Sequence, residues 1–246
     1  MKQRYQSHQA LPEFGPVGQE RLQSARVALL GLGGIGGPAA MYLAAAGVGR
    51  ITLCDFDRVS ESNLSRQILF TPSDLDRPKT EAAAERLSQL NPDVQLSTVD
   101  RRMNAESIAD LLKDQDLLID ASDNFATRLA ANQACVDRRK PWVMSAAVRF
   151  EGQLAVFRPD QGDEPCYRCL YQATPDTLED CAGAGVFSTA AGTLGLAAAG
   201  QAMSLLAGIP VTRGLHLFDA KTMTWTTLRG RRDPNCQVCV GTVDAD

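Results

Sequence analysis

Short apolar runs alternate with longer amphipathic segments along most of the chain, and this alternation predicts its architecture. RVALL (Arg26–Leu30), apolar after its first residue and ahead of a glycine-rich turn, reads as the first strand. The turn occupies 31–37, and a helix follows at 38–46, with Pro38 near its first turn and Gly47 and Gly49 ending it. Further strands are predicted at 51–55, 94–99, 116–120, 142–148 and 153–157. Helices are predicted at 78–90, closed by Asn91-Pro92, at 104–113, capped by Asn104, and at 124–139. Residues 57–76 read as a polar loop, 1–25 as a helical or irregular lead-in, and 214–218 with 222–228 as a terminal hairpin. Alternating β and α segments imply an α/β fold with a mostly parallel sheet flanked by helices and antiparallel C-terminal strands.

Composition adds three constraints. The 246 residues, 44% hydrophobic, suffice for one large α/β domain. A net charge of −4 provides no global basic field for nucleic acid. The segment 181–211 has no charged residue, which is long enough for a membrane span, but Ala and Gly dominate it and Ser, Thr and Gln interrupt it. A buried small-residue helix is therefore expected, with no membrane partner. MKQRYQSHQALPEFG has no apolar core of a secretion signal, so a cytoplasmic, reducing location is expected. Seven cysteines, an odd number, argue in the same direction.

The glycines are the first candidate chemistry. Gly31, Gly33 and Gly36 fit G-x-G-x-x-G, with Gly34 added, at a strand-to-helix turn; this is a Rossmann-like nucleotide cradle. Asp55 stands 19 positions after Gly36, where an acid accepts hydrogen bonds from ribose hydroxyls. On these residues alone NAD would lead. The following loop and helix change that. Asn63, Arg66 and Gln67 cluster in SESNLSRQ, Lys79 opens the next helix, and Asp123 lies just past the fourth strand. Singly, Lys79 reads as a solvated surface lysine and Asp123 as a helix N-cap. Together they set cations and a carboxylate around the glycine turn. A triphosphate carries about four negative charges and needs cations plus Mg²⁺ held by a carboxylate, which favours ATP over NAD.

Cys166/Cys169 and Cys236/Cys239 form two CxxC pairs with 66 residues between them. Four thiolates suit tetrahedral Zn²⁺, whereas a redox role would need only one pair. Cys54 and Cys135 read as core residues, and neither His8 nor His216 is assigned chemistry.

The ordered motifs GLGGIGG, DFD, SNLSRQ, DRPK, DASDN, CYRC and CQVC, between Arg4 and Gly241, resemble those of sulfur-carrier adenylyltransferases of the ThiF/MoeB/HesA type, relatives of ubiquitin-activating enzymes. The resemblance implies one adenylation domain: a lead-in at 1–25, a nucleotide-binding half at 26–150, and a carrier-binding, zinc and dimer half at 151–246. It implies a homodimer using ATP, Mg²⁺ and structural Zn²⁺ on Cys166, Cys169, Cys236 and Cys239. The partner would be a ubiquitin-like carrier ending in Gly-Gly, whose carboxylate attacks the α-phosphate.

By that resemblance Gly34, with Gly31, Gly33 and Gly36, lies against the nucleotide. Asp55 takes the ribose, with Asp57 in the same DFD motif. Ser62, Asn63 and Arg66, beside Gln67, line the phosphates. Lys79 stabilises the α-phosphate, and Asp123 holds Mg²⁺ with Asn124 alongside. Cys181, before AGV, matches a cysteine that in some relatives bonds the activated carrier. Family members usually begin R-Y-x-R-[QH]; here RYQSH puts Ser7 where an arginine reaches the partner subunit. Helix and loop segments favour the thiamine-type carrier over the molybdopterin type. No rhodanese segment follows Cys239, so a separate donor such as a cysteine desulfurase is expected to supply sulfur. The competing readings are an NAD-dependent oxidoreductase and a non-catalytic binder of a ubiquitin-like protein.

Overall fold

A computed structural model describes residues 3–162, 164–171 and 184–240. Its centre is an eight-stranded sheet in the order β3-β2-β1-β4-β5-β6-β7-β8. The strands are β1 (Arg26–Leu30), β2 (Arg50–Cys54), β3 (Gln95–Val99), β4 (Leu117–Asp120), β5 (Trp142–Val148), β6 (Glu151–Phe157), β7 (Leu215–Asp219) and β8 (Thr224–Leu228). β3 through β5 run parallel, and β6, β7 and β8 add on antiparallel. Parallel neighbours need a crossover, and each of the first five strands is followed by one or by a turn. Arg149 and Phe150 alone join β5 to β6, with Arg149 at φ 53°, so that pair must be antiparallel.

The chain works outward from β1 to β3, then returns to lay β4 on the other side of β1. The connection therefore reverses between β1 and β4, where open α/β sheets bind ligands at the carboxyl ends of their strands.

Helices cover both faces. α1 (Gln6–Gln9) and α2 (Gly15–Ser24) form the lead-in. α3 (Gly36–Ala46), α4 (Lys79–Leu90), α5 (Ala105–Leu111), α6 (Phe125–Asp137), α7 (Tyr167–Leu170) and α8 (Ser188–Ala207) follow. One core lies between the sheet and α2, α3, α4 and α8, around Leu29, Leu43, Leu53 and Leu194. The other lies beneath α5, α6 and α7, around Leu30, Leu118, Trp142 and Tyr167. Alternate residues of β1 serve each core, Val27 and Leu29 one and Ala28 and Leu30 the other, which explains why 27–30 is apolar throughout.

The expected elements are found with small shifts. α3 begins at Gly36 rather than Pro38, because Pro is accommodated within a first turn whose N–H groups need no intrahelical partner. The 57–76 loop contains two 3₁₀ turns, Glu61–Asn63 and Pro72–Asp74, the second closed by a Thr71–Asp74 capping box. α8 is long and apolar enough to cross a membrane by length and composition. It packs instead on the sheet and on the start of α3. A Cβ on its Gly195 would stand 2.3 Å from the Ile35 carbonyl, so only glycine permits that approach. Cys54 and Cys135 are buried core residues, as expected.

Candidate functional site

The glycine turn folds tightly on itself and on the loop after β4. Gly31 has φ 86°, and a Cβ there would meet the Ala121 carbonyl at 2.8 Å; one on Gly36 would stand 1.8 Å from the Gly31 carbonyl. Both positions therefore require glycine. The result is a backbone cradle at the N-terminus of α3, against the start of the DASDN loop.

Around the cradle the acids and cations form a defined set. Asp55, just past β2, accepts from the Leu32 amide through Oδ2 at 2.7 Å and from the Asp57 amide through Oδ1 at 2.9 Å. Burial pushes its carboxyl up from the ordinary value of 3.8, while Lys79 and these two amides pull it back. Lys79 is not the solvated surface lysine its position suggested. It is 4% exposed, with Nζ 2.9 Å from Asp57 and 4.0 Å from Asp55. A cation at the first residue of α4 opposes the helix dipole, and the two aspartates offset that cost.

Arg66 runs beside the cradle; a Cβ on Gly34 would lie 3.4 Å from its Cγ. Its guanidinium donates to the Ser62 carbonyl and to Asn63 Oδ1, both at 3.1 Å, and Asn63 in turn donates to Ser60 Oγ at 2.7 Å. Gln67 is buried, with its Nε2 3.6 Å from a Cβ placed on Gly33, and its Oε1 has no partner among the described residues. The end of the Gln67 amide beside the cradle is its donor nitrogen, which suits a ligand that accepts hydrogen bonds there.

Across the switch point, Asn124 rather than Asp123 caps α6, accepting from the Thr127 amide at 2.9 Å. Asp123 is left exposed and makes no ion pair among the described residues; its nearest recorded partner is Asn124 at 3.5 Å. An exposed carboxylate at the carboxyl end of β4 suits a hydrated divalent ion accompanying phosphates.

Two features escaped the sequence reading. Asp120, the last residue of β4, is fully buried, with Oδ1 accepting from the Ser122 amide at 2.8 Å. Burial raises its pKa, and Arg128 lowers it. The signal was an acid ending an otherwise apolar strand, LLID. Phe56, between the acids of DFD, is 41% exposed and carries Arg102 over its ring at 3.9 Å.

The four cysteines converge as expected. Cys166 Sγ lies 3.8 Å from Cys169 and 3.6 Å from Cys236, and Cys169 lies 3.5 Å from Cys239. Tetrahedral Zn²⁺ with bonds of about 2.3 Å sets ligand sulfurs about 3.8 Å apart, so the cluster fits that ion. Cys181 lies outside the described residues. Ser7 is exposed on α1, while the Tyr5 hydroxyl is buried and accepts from Asn91 at 2.9 Å. His8 pairs with Gln19, and His216 with Thr227 and the Thr212 carbonyl.

A glycine cradle with a buried lysine and a half-buried arginine at the carboxyl end of an α/β sheet is suited to a ligand carrying phosphates. The comparisons with known proteins narrow this. The ThiF family model matches residues 5–238, and the chain belongs to the ThiF family. It is 43% identical over 239 residues to the sulfur carrier protein ThiS adenylyltransferase of Escherichia coli K12, covering 97% of this chain and 95% of that one. It is 39% identical over 238 residues to the molybdopterin-synthase adenylyltransferase of the same organism, covering 96% and 95%. A crystal structure of E. coli MccB with succinimide shares the fold, with a TM-score of 0.84 at 21% identity, covering 97% of this chain and 75% of that one.

Proposed function

We propose that the protein adenylates the C-terminal Gly-Gly carboxylate of a ubiquitin-like sulfur carrier of the ThiS type, as the step before sulfur transfer in thiamine biosynthesis. The observation that carries this is the burial of Lys79 between Asp55 and Asp57, beside a cradle flanked by Arg66. The carrier carboxylate attacks the α-phosphorus of ATP; an acyl–phosphate bond forms, the α–β phosphoanhydride bond breaks, and pyrophosphate leaves. Negative charge shifts to the leaving group, so positioned cations are the main catalytic element. Asp55 accepts from the ribose, the amides of 31–36 meet the phosphates, and Arg66 with Lys79 offsets the developing charge. Asp123, with Asn124 beside it, would hold Mg²⁺, which supplies further charge neutralisation. A MoaD-type carrier in molybdopterin biosynthesis is the second reading, favoured by the 39% identity over nearly the whole chain.

The four thiols would hold structural Zn²⁺ with no open ligand position, and a reducing, cytoplasmic location would suit such a site. A homodimer is supported by the uncharged α8, with Leu196 44% exposed, and by Tyr42 of α3 at 57%. Cys181 would receive the activated carrier, and a separate desulfurase would supply sulfur. The chain acts as one adenylation domain.

Mixing the protein with ATP·Mg and a carrier, and following pyrophosphate exchange, tests the reaction. Carrier-dependent exchange is expected; none with either carrier type would refute it. Two further results are expected. Asp55 must be ionised to accept from ribose, so ATP affinity measured by calorimetry falls as pH drops through a pKa above 3.8, and Asp55→Asn flattens that limb. Ser7→Arg should raise turnover if no other residue of the dimer replaces the usual arginine; unchanged kinetics would show that the loss is compensated.

A further inference from the structure

The CYRC knuckle and the DASDN loop are 40 or more residues apart in sequence, yet one face of α6 joins them. Tyr167, between the two knuckle cysteines, is 2% exposed and points away from them into the second core. Its ring lies 5.8 Å from Phe125, the first residue of α6, and stacks on Tyr171 at 4.4 Å. Its amide donates to Asn132 Oδ1 at 2.9 Å, and Asn132 Nδ2 lies 3.7 Å from Cys166 Sγ. Between these two contacts stands Arg128. It faces the Tyr167 hydroxyl and Asp120, and its Nη2 donates to the Ser122 carbonyl at 2.8 Å. Phe125, Arg128 and Asn132 occupy successive turns of one helix face. Asp123 projects from the loop that Arg128 and Asp120 hold.

We propose that Tyr167 is a positioning residue through which the four-cysteine knuckle holds the 120–124 loop, so that Zn²⁺ loading and ATP·Mg binding are coupled. The physical basis is the lack of slack. Asp120 is fully buried, Tyr167 is wedged among four aromatic rings' worth of packing, and close-packed interiors pass displacements on rather than absorb them. The inference rests on the proposed reading of both sites.

Coupling is reciprocal, so it can be read at the metal without any turnover. The test loads the full chain with Zn²⁺, confirms ATP·Mg binding by calorimetry, and times zinc release to a chromogenic chelator with and without saturating ATP·Mg. ATP·Mg is expected to slow release by about fivefold or more. Tyr167→Phe, which keeps the ring packing but lacks the hydroxyl facing Arg128, should retain one zinc per chain, bind ATP·Mg more weakly, and lose most of that protection. Equal release rates in the wild-type protein, with both ligands bound, would overturn the coupling and leave the site readings standing. A chain that takes up no zinc or binds no ATP·Mg overturns those readings and this inference with them. The wild-type measurement decides whether the two sites are coupled even if Tyr167→Phe misfolds, and a folded Tyr167→Phe that keeps full protection would overturn the role of Tyr167.

Discussion

Lys79→Met is expected to lower the adenylation rate by about 10²–10³-fold, the usual loss when one preorganised charge donor is removed from a site excluded from water. The reasoning starts from burial. Lys79 is 4% exposed and its ammonium sits 2.9 Å from Asp57. A lysine so enclosed does not serve solubility; its partners hold it in place at the edge of the phosphate cradle. Methionine keeps much of the stem packing while removing the charge. Asp55 then loses the cation that opposes its burial, so its carboxyl moves further up and its ribose contact weakens as well. Both kcat and ATP affinity should therefore fall, whereas loss of a purely structural ion pair would lower stability and leave kcat near normal. Single-turnover pyrophosphate formation, with thermal melting run alongside, separates the two outcomes.

Cys236→Ser is expected to remove a stoichiometric zinc and lower Tm by about 10 °C. A structural ion bound about a thousandfold above its dissociation constant contributes about 4 kcal/mol, and a chain of this size shifts by a few degrees per kcal/mol. The effect is large because the site staples distant segments. Cys166 is the N-cap residue of α7 and Cys169 lies within it, and Cys236 and Cys239 lie beyond β8. Burial pushes the Cys166 thiol up, which makes an isolated thiolate there costly and a metal-bound one favourable. Elemental analysis should give one zinc per chain in the wild type. A metal-free protein with an unchanged Tm would refute the assignment.

Much of this was legible in the sequence because local chemistry and global position coincide. RVALL read as a strand, and the glycine spacing called for a tight turn, which Gly31 and Gly36 make too close for a Cβ. The two CxxC pairs announced a four-thiol cluster, although spacing alone left redox chemistry open. What could not be read was burial decided by tertiary packing. Taken singly Lys79 looked solvated, because a helix start is ordinarily exposed, and only its neighbours in sequence pointed to the cradle; the approach of Asp55 and Asp57 from the β2 end is what encloses it. Asp123 and Asn124 are adjacent residues that can each cap a helix. The structure gives the cap to Asn124 and leaves the Asp123 carboxylate exposed past the end of β4. Asp120 was hidden because its side chain's partners, Ser122 and Arg128, come from the loop and helix that follow it.

The most direct test of the central claim is intact mass spectrometry of a Gly-Gly-terminated carrier incubated with the protein and ATP·Mg, using one thiamine-type and one molybdopterin-type carrier. The account predicts an AMP adduct on the thiamine-type carrier, abolished by Lys79→Met. An adduct on neither carrier, with no pyrophosphate exchange, would contradict it.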